Sequence, residues 1–200
     1  MSHDLIATFG AALLFTLAAT GTPGPNNMLL TASGAQFGLW RSLPFWLGIR
    51  IGTTVMLLGV AAGLGDLLAR YPRVHLALQV LAACYLLYLA WKISQSQLSN
   101  AREQQQPLGV AGAAVFQFIN PKIWATSLAS VSAFSLPGDS YWPSILLLIL
   151  AWNLTGSAMN LMWIVFGVGI KQLLHSARRQ RWFARTMGGL TAATVLLIFW

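Results

Sequence analysis

The residues able to do chemistry in this 200-residue chain are few, and most stand beside prolines. The first group is Thr22-Pro23-Gly24-Pro25-Asn26-Asn27 and the second is Asn120-Pro121-Lys122. Arg50 stands alone in Leu47-Gly48-Ile49-Arg50-Ile51-Gly52, and Asn153, Gly156, Ser157 and Asn160 fall at helical spacing. Prolines that stop a helix free backbone donors and acceptors beside amide side chains, and the N-terminus of the helix that restarts carries positive partial charge. With Arg50 and Lys122 added, the chemistry on offer is recognition of a carboxylate by guanidinium, ammonium and amide groups.

Other chemistry lacks its parts. The four acids are Asp4, Asp66, Glu103 and Asp139, and none lies in the middle of a long apolar run. A carboxylate pair for general acid–base catalysis and a hard-metal oxygen cage are therefore not expected. His3, His75 and His175 are scattered near segment ends, and Cys84 is the only cysteine, which excludes an intrachain disulfide and any multi-cysteine metal or redox motif. No catalytic residue, metal site or cofactor is expected, and the chain reads as a non-enzyme.

The elements that must position these residues are apolar. The chain is 56% hydrophobic and 8% charged, against about 25% charged in a soluble domain. A water-facing surface cannot be coated with so few charges, so the composition calls for an all-α integral membrane protein. The charges punctuate six apolar runs: 5–40, 43–65, 74–91, 108–136, 140–170 and 186–200, the last borrowing Trp182 and Phe183 as an interfacial start. Run 5–40 would reach roughly 54 Å as one helix, well beyond a hydrocarbon core of about 30 Å. It is interrupted at residues 22–27, as run 108–136 is at 120–122, so both should be discontinuous helices.

Each interruption falls in the first span of a half, residues 1–93 or 108–200, with a polar, basic linker at 94–107. Three spans per half, each half opening on a helix broken at proline, predicts two inverted three-helix repeats in a single transmembrane domain. Eight Lys/Arg (Arg41, Lys92, Arg102, Lys171, Arg178, Arg179, Arg181, Arg185) fall on one side of the six spans, and Arg70 and Arg73 on the other. The positive-inside rule puts the first set in the cytoplasm and both termini in the periplasm. The net charge of +8 is therefore mostly topology, not a nucleic-acid footprint. The basic run 175–185 reads as a cytoplasmic loop touching membrane lipid, the 66–73 segment as a loop, and Cys84 as a small packing residue.

The intramembrane residues each admit two readings. The Gly24–Asn27 interruption is a binding element or a kink satisfied by neighbouring helices. Lys122 faces a cavity or snorkels to an interface. Arg50 meets a substrate carboxylate or snorkels, and the Asn153/Asn160 face lines a path or bonds another helix.

These residues also resemble a known family. Thr22-Pro23-Gly24-Pro25-Asn26, the Leu47–Gly52 segment, Tyr85-Leu86-Leu87-Tyr88-Leu89-Ala90-Trp91-Lys92 and Phe118-Ile119-Asn120-Pro121-Lys122 are, in that order, similar to the lysine exporter (LysE/RhtB-type) superfamily of bacterial amino-acid exporters. Gly-Pro-Asn-Asn and Leu-Ala-Trp-Lys-Ile look most similar to its cysteine/O-acetylserine branch, with homoserine/threonine exporters the alternative branch. The resemblance implies a secondary transporter in the bacterial inner membrane, working by alternating access on small amino acids that are neutral overall. The expected binding residues are Gly24, Pro25, Asn26, Asn27, Arg50, Asn120, Pro121, Lys122, Asn153 and Asn160. Many members have Asp where this chain has Asn26, and an acid where it has Thr53. Lacking both, the chain has no evident carrier for a coupling proton and no anion to meet a cationic substrate. A homodimer is compatible with the sequence. The competing class is a membrane-embedded enzyme or redox carrier, for which a lone Cys84 is a poor basis.

Overall fold

The computed structural model describes residues 3–95, 106–174 and 176–198, and these are helical with no strand among them. Most of the linker expected at 94–107, with Arg102 and Glu103, lies outside the described residues, as does His175. In chain order the helices are α1 (His3–Gly21), α2 (Pro25–Phe37), α3 (Leu39–Ala61), α4 (Leu64–Arg70), α5 (Pro72–Ser94), α6 (Val110–Ile119), α7 (Pro121–Phe134), α8 (Tyr141–Leu173) and α9 (Ala177–Ala193), followed by a 3-10 turn at Thr194–Ile198.

Local chemistry accounts for the boundaries. Pro25 and Pro121 occupy the first turns of α2 and α7, where a missing N–H costs nothing. Asn120 caps α7, its side-chain oxygen accepting from the Lys122 N–H at 3.2 Å. Gly38, with φ +81°, makes the turn between α2 and α3 that a residue with a Cβ would resist. Run 5–40 therefore divides into two helices with a turn beyond, and Trp40 belongs to α3.

Among the described residues, three helices are long and apolar enough to cross a membrane: Asp4–Gly21, Leu39–Ala61 and Gly138–Leu173, the last including a 3-10 turn before α8. Leu14, Leu81, Val115, Leu146, Leu154 and Val165 are more than 45% exposed, which is how a lipid-facing surface is made.

Two expected loops are helical. Residues 64–70 form α4, and the basic run continues into α9, where the Ser176 hydroxyl accepts from the Arg179 N–H at 3.3 Å. Arginine is a good helix former, and a capping serine suffices to start the helix among the charges. Cys84, expected to be packed, is exposed.

Packing follows a regular plan. The long α8, roughly 50 Å at 1.5 Å per residue, lies against both α1 and α2, and α3 lies against both α6 and α7. Helix α5 packs on α9, and α3 on α8. Small residues set the closest approaches. A Cβ on Gly52 would sit 2.5 Å from the Ala114 carbonyl oxygen, and one on Gly48 would sit 2.5 Å from Ala113 Cβ. The glycine pair around Arg50 thus seats α3 against α6. Gly34 on α2 and Gly167 on α8 do the same for their pair, each facing the other helix's backbone.

Candidate functional site

The α1–α2 gap leaves main-chain groups without helical partners. The last α1-type bond runs from Thr22 N to Ala18 O, and the first of α2 from Met28 N to Gly24 O. Side chains take up the carbonyls left over. Thr22 Oγ1 donates to Ala19 O at 3.2 Å. Asn27 Nδ2 donates to Thr20 O and Thr22 O, each at 2.8 Å. Lys122 Nζ, from α7, donates to Thr22 O at 2.9 Å, Thr22 Oγ1 at 2.8 Å and Pro23 O at 3.4 Å. A cation thus sits on the negative end of α1.

The other gap answers it. Asn26 Nδ2 donates to Gln117 Oε1 at 2.8 Å, while Asn26 Oδ1 accepts from Asn120 Nδ2 at 3.1 Å and Gln117 Nε2 at 3.3 Å. In each case the residue just after the proline of one interruption reaches the end of the helix that precedes the other: Asn26 reaches α6, and Lys122 reaches the end of α1. Phe15 of α1 and Phe134 of α7, their rings 5.5 Å apart, continue the contact of the two halves away from the gaps.

Arg50 completes the cluster from α3. It is 7% exposed, so it does not snorkel. Its Nη1 donates to Trp152 O at 3.0 Å and its Nη2 to Asn160 Oδ1 at 2.5 Å. Asn160 Nδ2 then donates to Asn27 Oδ1 at 2.9 Å. A continuous relay runs from Arg50 through Asn160 and Asn27 to the end of α1. Gly156 makes room for the guanidinium, since any Cβ there would collide with it. The Arg50 Nε, although buried, has no partner.

A narrow cavity of about 20 Å³, open at one side, lies among these groups. Of the residues singled out in the sequence, Gly24, Asn26, Asn27, Arg50, Asn120, Lys122 and Asn160 line it. Pro25 and Pro121 are not among the lining residues; they start the helices that carry Asn26, Asn27 and Lys122. Asn153 is also not in the lining and bonds Thr54 Oγ1 at 3.0 Å and Ile149 O at 2.9 Å, so it links α8 to α3. Sequence reasoning missed Thr20, Thr126 and Trp152 in the lining, and Gln117 behind it. Gln117 carried a readable signal, an amide three residues before Asn120 in an apolar run. Thr20 and Trp152 carried none, because threonine and tryptophan are ordinary in such spans.

The LysE type translocator family matches residues 17–199. The cysteine/O-acetylserine efflux protein of Klebsiella pneumoniae is 34% identical over 169 residues, covering 84% of each chain. The protein of the same name from Escherichia coli O157:H7 is 30% identical over 182 residues, 90% of this chain and 91% of that one. Its counterpart in Salmonella paratyphi A is 30% identical over 154 residues, 76% of this chain and 78% of that one. No solved structure gives a significant match.

Proposed function

The chain belongs to the LysE type translocator family, and from that premise we propose that it exports small amino acids or their derivatives across the bacterial inner membrane. The observation that carries the proposal is the meeting of two interrupted helices at a cavity lined by Arg50, Lys122 and four amide side chains from both halves. Irregular backbone at membrane depth is stable where it lines such a cavity, and paired interruptions are how transporters build a midplane site. The relatives' names make cysteine and O-acetylserine the first compounds to try, with homoserine and threonine next.

The contacts support alternating access between two inverted three-helix repeats. Take α1–α2, α3 and α5 as one set and α6–α7, α8 and α9 as the other. Exchanging the sets turns the α1–α2 contact with α8 into the α6–α7 contact with α3, and both are extensive. The α3–α8 and α5–α9 contacts map onto themselves. Each interrupted helix is thereby fastened to a span of the opposite repeat, so rocking of one set against the other would open the cavity to each side in turn. Arg50 and the amides would hold the substrate's backbone end, with Pro25 and Pro121 keeping the helices open there. Both termini would face the periplasm.

The test is efflux from cells or liposomes loaded with a panel of amino acids, with and without a pH gradient. Efflux that depends on the protein is expected for at least one small amino acid or derivative. Pro25→Ala and Asn26→Ala should slow it while the protein still inserts. Identical efflux with and without the protein across the whole panel would overturn the proposal.

A further inference from the structure

Lys122 Nζ holds the end of α1 by two main-chain carbonyls and a hydroxyl: Thr22 O at 2.9 Å, Pro23 O at 3.4 Å and Thr22 Oγ1 at 2.8 Å. Its stem crosses the gap over Gly24, where a Cβ would lie 2.8 Å from Lys122 Cδ. Among the described residues, no carboxylate shares the cavity lining with it. Arg50 of α3 is the other charged or titratable side chain there; α1, α2, α6, α8 and the final 3-10 turn bring none to the lining. Asp4 stands at the opposite end of α1, Arg41 at the start of α3, and Tyr141 and Lys171 at the two ends of α8. Of the two cations that line the cavity, only the lysine passes between a charged and a neutral form, since arginine keeps its proton.

An amino acid entering the site needs the place that Lys122 holds. The cavity, about 20 Å³, has room for roughly one water and not for an amino acid, so a lining side chain has to give way. Arg50, Asn26, Asn27, Asn120 and Asn160 are buried, whereas Lys122 is half-buried on a long flexible stem. The carbonyl end of α1 carries negative partial charge and suits a substrate ammonium as well as it suits the lysine. The Thr20 and Thr126 hydroxyls line the cavity, donate to Thr16 O and Lys122 O, and keep acceptor lone pairs for the same ammonium. Arg50, its Nε unpartnered, keeps a donor for the carboxylate. Two ammonium groups at one helix end in a low-dielectric site repel. The substrate's can therefore bind only as that of Lys122 leaves. It leaves most cheaply as a neutral amine, because a displaced ammonium would carry an unpaired charge at membrane depth.

We infer, resting on the exporter reading, that Lys122 carries the proton that drives export, its ammonium holding the place that the substrate's ammonium takes in turn. Facing the cytoplasm, the Lys122 ammonium releases a proton to that side, becomes a neutral amine and leaves the α1 carbonyls. The zwitterion then binds with its ammonium on those carbonyls and its carboxylate on Arg50. Facing the periplasm, the zwitterion departs, the amine takes up a proton from that side, and the ammonium returns to the carbonyls. Each cycle moves one zwitterion out and one proton in, and the only bond broken and remade is the lysine N–H. Proton and substrate exclude each other at the end of α1, which is the condition for antiport.

The experiment uses liposomes holding the purified full-length chain, with labelled O-acetylserine as the probe. Uptake by protein-free liposomes is subtracted, since an acidic lumen traps amines unaided. With the membrane voltage clamped at zero and the lumen one pH unit the more acidic, one proton per substrate supports roughly tenfold accumulation. Lys122→Met should abolish accumulation while counterflow at equal pH continues. Lys122→Arg, which keeps its charge, should also fail to accumulate the probe. A measurement on the unaltered protein serves where neither variant inserts. With equal pH on both sides, the KM for counterflow should fall several-fold between about pH 5.5 and about pH 7.5, as a proton competing for the site requires. Counterflow without pH-driven accumulation in the unaltered protein would overturn the inference and leave the exporter reading standing. So would undiminished accumulation by the inserted Lys122→Met variant, or a KM that does not change with pH. No counterflow of the probe by the unaltered protein, together with no efflux across the wider panel, would remove the exporter reading itself.

Discussion

Asn153 and Asn160 lie on one helix, share a side-chain type and both face α3, yet their deletion should have very different costs. Asn153 makes one bond to another helix, donating to Thr54 Oγ1. Hydrogen bonds between neutral side chains of membrane helices average about 0.6 kcal/mol. Asn160 makes one such bond, to Asn27 Oδ1, and also accepts from the buried Arg50 guanidinium. A hydrogen bond to a charged group contributes about 1.5–3 kcal/mol. Asn160→Ala should therefore cost about 2–3.5 kcal/mol against about 0.6 for Asn153→Ala. At roughly 2–4 °C per kcal/mol for a chain of this size, that is a fall in Tm of about 4–14 °C against 1–3 °C. Thermal unfolding of the purified protein in one detergent reads both. A double-mutant cycle of Asn160→Ala with Asn27→Ala isolates the neutral link, and its coupling should be close to 0.6 kcal/mol. Equal Tm losses for Asn153→Ala and Asn160→Ala would refute the reasoning, because Arg50 would then draw no net stabilisation from the amide it touches.

Two further predictions concern packing and orientation. Gly52→Ala should destabilise by about 1–3 kcal/mol, since its new methyl would press on the Ala114 carbonyl and Gln117 Cγ. Gly10→Ala, where a Cβ meets nothing within 4 Å, should be neutral or stabilising in the same thermal assay. An alkaline phosphatase fused after Trp200 should be active, and a green fluorescent protein fused there dark, as a periplasmic C-terminus requires; the opposite pair would reverse the proposed orientation.

The starts of α2 and α7 at Pro25 and Pro121 were legible because proline acts locally, lacking an N–H that a helix does not use in its first turn. The close approach at Gly48 and Gly52 has a similarly local cause, the absence of a side chain. The direction taken by Arg50 was not legible, since it depends on Asn160, 110 residues further on, and on the space left by Gly156. Asn153 was drawn into the candidate site by sharing the face of Asn160. Periodicity assigns a face to a residue but not the depth at which that face opens on a cavity. The start of α9 was hidden because a dense run of arginines looks like solvent-facing loop, although arginine favours helix and Ser176 caps it.

The crossed fastening of the two interruptions has a consequence for how such a protein can change over generations. Asn26 is satisfied by Gln117 and Asn120, and Lys122 by Thr22 and Pro23, so each half completes the polar shell of the other. A substitution at 117 or 120 leaves the buried Asn26 amide stranded unless it is answered there. The two halves of the gene are therefore not free to drift separately at these positions. Residue 26 with 117 and 120 should be inherited as a matched set, while Lys122, bonded to the backbone carbonyls of Thr22 and Pro23, leaves residue 22 freer to change.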